Sequence, residues 1–187
     1  MSWIKEPIKN LFNIEKWSLQ SSKNIPWEYD FITAAADWKT NQTYDHECEA
    51  LVFACAASWS LWRTHYVNWK FIASDLCFIL TPKDWKKINM KFYHTYFNSI
   101  RKDIVKKTAT WSAKLAINRK NFGNYEIVYW NIDDQNKAQT LFWKYLPFQN
   151  ELSANVDESK ELVNKLRQSI LQDAIKWKLI EQNPADE

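Results

Sequence analysis

YDHECEALVFACAASWSLWRTHYVNWKFIASDLCFIL, residues 44–80, is the stretch whose reading decides the fold. Val52, Cys55, Trp59, Trp62, Tyr66, Trp69, Ala73, Leu76 and Leu80 follow one another in steps of three and four. Nine positions in that register match the period of an α-helix. Leu51, Phe53, Ala54, Ala56, Ala57 and Ile72 widen the apolar surface beyond one seam, as expected of a helix at the centre of a fold. At 1.5 Å per residue this helix would extend about 55 Å, so a bend is expected, at Asn68 or Ser74. The uncharged run Ala50–Trp62 is 13 residues, too short to cross a membrane, and Arg63, Lys70 and Asp75 break up the residues after it. No membrane partner is expected.

Composition points the same way. Aromatic residues make up 16% of the 187-residue chain, with 12 Trp and a single glycine, Gly123. Average usage would supply about 13 glycines. Long regular elements with large rigid side chains fit this bias; many tight turns do not. The shortage also excludes function classes. A phosphate-cradling loop, a dinucleotide-binding turn and a nucleophile elbow each need several glycines. No cofactor is expected.

Cys48, Cys55 and Cys77 are odd in number and lie in apolar surroundings without a C-x-x-C pair. This favours reduced thiols and a cytoplasmic setting over a disulfide scaffold. Met1–Leu11 lacks the continuous apolar core of a secretory signal.

Outward from 44–80 the pattern predicts one mainly α domain, a helical bundle over 1–187, with arms at 1–25 and 182–187. Pro26 followed by Glu28 and Asp30 predicts a helix from Trp27 to about Lys39. Thr81-Pro82-Lys83-Asp84 reads as a helix start, with Trp85, Ile88, Phe92, Tyr96, Ile100 and Ile104 on one stripe of a helix ending near Lys107. Residues 111–118 and 125–132 read as two strands joined through Gly123-Asn124, a small hairpin, with helical continuation through Ile117 as the alternative. A helix from Asp133 or Asp134 should stop at Pro147. Another should begin near Asp157, with Leu162, Leu166, Ile170, Ala174 and Trp177 on one face.

Chemistry-bearing residues are sparse. Asp45-His46-Glu47-Cys48-Glu49 packs metal-ligand types together, but on a helix His46 points away from Asp45, so no metal site is expected. His65, His94 and Arg63 are the only candidates for catalysis. One imidazole would act as base, one as acid, and Arg63 would stabilise a phosphorane, making a metal-independent ribonuclease. The plainer reading is two histidines tying helices together. Ser58, Ser60 and Ser74 have no acid–His partner at a telling spacing. The aromatic run Trp59, Trp62, Tyr66, Trp69 reads as core before it reads as a ligand groove.

Charge is the remaining signal. Lys83–Lys120 holds 11 Lys or Arg against Asp84 and Asp103, a net of +9 in a chain of net +3. Trp27–Trp62 carries six acids and one Lys, net −5, and pairing between the two segments would explain the segregation without a partner. Otherwise the basic face binds something acidic. Lys86, Lys87, Lys91, Arg101, Lys102, Lys106 and Lys107 would supply the charge, and Tyr93 or Phe97 would stack on unpaired bases. The favoured expectation is a non-enzymatic regulatory, inhibitor or immunity-type protein docked on an acidic protein surface. The alternative is a protein binding RNA or single-stranded DNA without sequence preference.

Overall fold

The computed structural model describes residues 3–16, 19–20, 25–56, 63–111 and 115–179. Trp59 and Trp62, with Ser58 and Ser60, lie outside the described residues, as does the arm expected at 182–187. The chain divides into two compact units, Met1–Gln139 and Thr140–Glu187.

The expected central helix is not there. Residues 44–80 form three strands, β5 (His46–Ala54), β6 (Thr64–Ala73) and β7 (Cys77–Pro82). They sit in a six-stranded mixed sheet with β2 (Phe12–Lys16), β3 (Tyr29–Ile32) and β4 (Lys39–Asn41), in the order β2-β7-β5-β6-β3-β4. Every pairing is antiparallel except β3 with β6. The helical-bundle expectation is therefore corrected to a mixed α/β fold. The reason lies in burial. Ala50 to Cys55 are at most 1% exposed, because β5 is covered on both faces of the sheet. A strand buried on both faces reads as a continuous apolar run, so its period of two disappears and a helical register fits by chance. Of the two residues named for a bend, Asn68 is inside β6, whereas Ser74 opens the turn into β7: Cys77 N donates to Ser74 O at 3.1 Å.

Alternation sorts the core. Leu51, Phe53, Phe78 and Leu80 face one side of the sheet; Ala50, Val52, Cys77 and Ile79 face the other. The first side is covered by α1 (Ile8–Leu11), α2 (Met90–Thr108) and α3 (Arg119–Asn124). Burial pushes the Cys55 thiol up to about 11 and the Cys77 thiol up to about 12, so both stay protonated small hydrophobes.

The segment expected as an N-terminal arm is structural: β1 (Trp3–Pro7) leads through α1 into β2. The helix expected at 27–39 is instead β3 and β4 with the turn between them. α2 keeps its expected type, with a later start. Thr81 and Pro82 finish β7, opposite Asn13 and Phe12, and Asp84 caps a single turn by accepting from Lys86 N at 3.0 Å. Asn89 is the true N-cap, its Oδ1 accepting from Phe92 N at 3.0 Å.

The hairpin expected over 111–132 is also rearranged. β8 (Ala109–Trp111) pairs with β9 (Leu115–Ile117), but the second expected strand, β10 (Glu126–Trp130), pairs with β1. Gly123 lies inside α3 and not in a turn. A Cβ there would stand 3.2 Å from Ile14 Cδ1 and 3.4 Å from Lys9 Cβ, so the lone glycine lets α3 close onto β2.

α4 (Ile132–Leu179) runs through Pro147, where a stop was expected. Its first turns belong to the first unit, where Asp134, Gln135 and Gln139 are buried. From Thr140 on it makes up the described part of the second unit. There Leu141, Tyr145, Phe148, Leu152 and Val156 are 45–65% exposed, as are Val163, Leu166 and Ile170.

Candidate nucleic-acid interface

The basic stretch occupies the end of β7, the Asp84–Lys87 turn, α2 and α3. Lys83, Lys86, Lys87, Lys91, Lys102, Lys106, Lys107, Arg119 and Lys120 are exposed; Arg101 is half-buried. Two local ion pairs form within it, Lys87–Asp84 at 3.4 Å and Lys107–Asp103 at 2.8 Å. The hydrogen bonds from Lys107 and from the Tyr125 hydroxyl hold the Asp103 carboxyl below its ordinary range. Among the described residues no salt bridge joins this stretch to the acidic segment 27–56. Among the described residues, direct ion pairing with that segment therefore does not neutralise the basic stretch. Surface pairs of the local kind contribute only about 0–1 kcal/mol, and most of the positive charge faces water.

The aromatic half of the expected site is elsewhere. Tyr93 and Phe97 are 0% exposed, because their side of α2 is the one turned to the sheet. Their rings stand edge-on to Phe12 at 5.2 and 6.0 Å, and the Tyr93 hydroxyl donates to Val128 O at 3.3 Å. Neither ring can take a base. Among the described side chains of the stretch, the exposed aromatic is Trp85, at 51%.

A basic groove lies along the edge strand β2. It measures about 840 Å³ and is floored by Phe12, Ile14 and Gly123. Four cations from three separate segments converge on it: Lys9 of α1, Lys83 after β7, and Arg119 and Lys120 of α3. Glu15 is its single acid. The segments are held in place locally. Lys83 N donates to Leu11 O at 2.9 Å, Ile8 N to Tyr125 O at 3.0 Å, and Asn118 caps α3 by accepting from Asn121 N at 2.7 Å. Chemically this is an open, polar trough of net charge +3, suited to a phosphodiester backbone. Sequence reading found Lys83 to Lys120 as a charged run but missed Lys9. Lys9 joins the groove only because β2 pairs with β7.

The residues proposed for catalysis do come together, as packing ties. His65 Nδ1 accepts from Trp38 Nε1 at 3.1 Å, which places the neutral ring's proton on Nε2. His94 Nε2 bonds the Thr64 carbonyl at 3.0 Å, which Asn98 also donates to at 2.9 Å. Burial lowers both imidazole pKa values, and for His65 the nearby His94 and Arg63 add to the effect. Arg63 Nε is buried without a hydrogen-bond partner. No carboxylate orients either ring among the hydrogen bonds they make. His46–Glu49 alternate along β5, which Asp45 just precedes, and among the described residues no three His, Cys, Asp or Glu gather as a metal site.

No protein-family model and no curated protein matches the sequence. Solved structures do match the fold. It resembles type I restriction-modification S subunits. The S subunit from M. genitalium aligns at TM-score 0.66 and 16% identity, over 96% of this chain and 49% of that one. A structure of the type I R-M system, solved for its complex assembly and conformational transition, aligns at 0.66 and 16%, over 92% and 45%. The HsdS subunit from Thermoanaerobacter tengcongensis aligns at 0.63 and 15%, over 92% and 44%. The chain spans about half the length of these proteins, and at such identities the likeness is one of fold. None of these neighbours is an inhibitor or immunity-type protein. No described helix is long and apolar enough to cross a membrane.

One functional-looking residue gave no sequence signal. Gln135, fully buried, accepts from Asn89 N at 2.7 Å and donates to the carbonyls of Lys87 and Trp130 at 2.9 and 2.6 Å. It fixes the start of α2, and with it the lysine-bearing turn before that helix.

Proposed function

We propose that the first unit binds double-stranded DNA, gripping the phosphate backbone with the groove formed by Lys9, Lys83, Arg119 and Lys120. The observation that carries this reading is the unpaired charge: four cations converge on a trough holding one acid, and among the described residues the neighbouring basic surface has only two local ion pairs, Lys87–Asp84 in the turn before α2 and Lys107–Asp103 on α2. The likeness of fold to S subunits of type I restriction-modification systems supports it. A duplex is favoured over a single strand because Tyr93 and Phe97 are buried and cannot serve as a stacking platform. Lys86, Lys87 and Lys91, together with Lys102, Lys106, Lys107 and Arg101, provide a general positive field and not the primary contacts.

The test is a titration of labelled duplex against salt. Four phosphate contacts should cost on the order of a hundredfold in affinity between about 50 and 200 mM. Replacing Lys9, Lys83, Arg119 and Lys120 together by Ala should flatten the log–log slope by roughly three to four. An unchanged slope in that variant would remove the groove from the interface. Tighter binding of single strands than of duplex would replace duplex with the single-strand reading.

A further inference from the structure

We propose that the groove along β2 also takes an extended acidic peptide, which joins the sheet as a further strand on the outer edge of β2. The lining residues show where the groove runs. Phe12, Asn13, Ile14 and Glu15 all line it, yet successive residues of a strand point to opposite faces. Only a groove that follows the edge of the strand, level with its backbone, meets all four. Among the described residues β2 is the terminal strand of its sheet and pairs with β7 alone.

Register fixes which peptide groups face the groove. Lys83 N donates to Leu11 O at 2.9 Å, and the same register sets Asn13 opposite Thr81 and Glu15 opposite Ile79. In an antiparallel ladder, hydrogen-bonded pairs alternate with non-bonded ones. Asn13 and Glu15 therefore turn their N–H and C=O groups to β7, while Phe12, Ile14 and Lys16 turn theirs outward. Pro82, opposite Phe12, has no N–H to give, as this phase requires. The Phe12 N–H is used at the end of α1, where it donates to Ile8 O. The Phe12 C=O, the Ile14 N–H and C=O, and the Lys16 N–H are left for a strand laid beside them.

Side chains select the kind of strand. Phe12 and Ile14 face the side covered by α1 and α3, the helices that carry Lys9, Arg119 and Lys120 to the groove. Asn13 and Glu15 face the other side. A strand in register with Ile14 directs every second side chain toward these cations and the intervening ones toward Glu15. Acidic residues at alternate positions then meet the cations, and neutral residues between them keep negative charge away from Glu15. β2 has five residues and presents about 17 Å of edge, enough for a segment of five or six. Peptide capture stands on this edge and does not depend on the DNA reading; only exclusion of DNA by the peptide rests on that reading, because both would use the same cations.

The probe is a capped, fluorescently labelled hexapeptide of alternating Glu and Thr, titrated by anisotropy at low salt. It should bind saturably, and more tightly than a block peptide of three Glu followed by three Thr. N-methylation of the Glu amides removes the bonds an antiparallel added strand would make to Ile14; N-methylation of the Thr amides removes those of a parallel one. One set should weaken binding at least ~tenfold and the other by less than about twofold. In the protein, Lys16→Pro removes an outward N–H at an exposed edge position where proline is tolerated. It should weaken peptide binding ~tenfold relative to Lys16→Ala, which removes the same charge, while the two variants bind duplex DNA equally. The methylated peptides decide alone should Lys16→Pro fail to fold. Equal effects of the two methylated sets, or no saturable binding of the alternating peptide, overturn the proposal and leave the DNA reading untouched. A peptide that binds in the expected pattern without displacing labelled duplex supports strand addition and counts against the DNA reading alone.

Discussion

α2 and α4 are both amphipathic helices with lysines on their polar faces, and they use their apolar faces in opposite ways. α2 buries Phe92, Tyr93, Phe97 and Ile104 against the sheet and leaves lysines to the solvent. Beyond Gln139, α4 leaves Leu141, Trp143, Tyr145, Phe148, Leu152 and Leu166 exposed. The difference is not one of composition but of what the rest of the chain supplies. α2 comes after strands whose inward face presents Phe12, Leu51 and Phe53, a ready floor for it. The second unit contains no sheet among its described residues. An amphipathic pattern thus announces that a face will be covered without saying by what.

The sharpest way to break this comparison is to truncate one side chain on each helix. Phe97→Ala should cost about 3–5 kcal/mol, since a fully buried ring is lost from a cluster with Phe12, Tyr93 and Phe122. Leu166→Ala, measured by urea unfolding at high dilution, should stay within about 0.5 kcal/mol. Similar costs at the two sites would mean that α4 is already covered within one chain.

A smaller effect should come from the residue that positions α2. Gln135→Ala leaves Asn89 N and the carbonyls of Lys87 and Trp130 without their partner. Buried groups left unpaired cost about 1–3 kcal/mol each, with partial relief from water, so a total of roughly 3 kcal/mol is expected. Amide exchange should localise the loosening to 87–93. A loss below about 1 kcal/mol would show that α2 is set by its packing and Asn89 cap alone.

Legibility in the sequence runs along the same divide. α2 was readable because one face is apolar and the other wet, so its period survives. The strands of 44–80 were not, because both faces of β5 are buried and a two-sided strand has no period to read. The signal that argued for strands was local: Val52-Phe53 and Tyr66-Val67 are β-branched and aromatic neighbours, and Ser74-Asp75 is a turn. For the site, the charge run was visible in one dimension, but the groove is not contained in that run. Lys9 stands 74 residues before Lys83 and is brought to it by strand pairing. Tyr93 and Phe97 show the converse: adjacency in sequence to lysines suggested a place in the binding surface, and helix geometry put them on the opposite face.

The smallest expected effect is a pH response confined to the first unit. His65 and His94 are held neutral in the fold, their pKa values lowered chiefly by burial from the ordinary 6.5. Below that pH the unfolded chain binds more protons than the folded one, so folding stability rises with pH across this range. The contribution of the two neutral rings is therefore complete above about pH 6.5 and is lost as pH falls toward their folded-state values. The thermal midpoint should drop by a few degrees between about pH 7 and 5, before most carboxylates titrate. His94→Gln keeps a donor for the Thr64 carbonyl and removes one titrating ring, so it should reduce that drop. Because α4 contains no histidine, acid-induced amide exchange should rise near Thr64 and Asn98 while residues 150–170 stay unchanged. Equal loosening in both regions would mean that acid acts on a shared contact and not on the two buried rings.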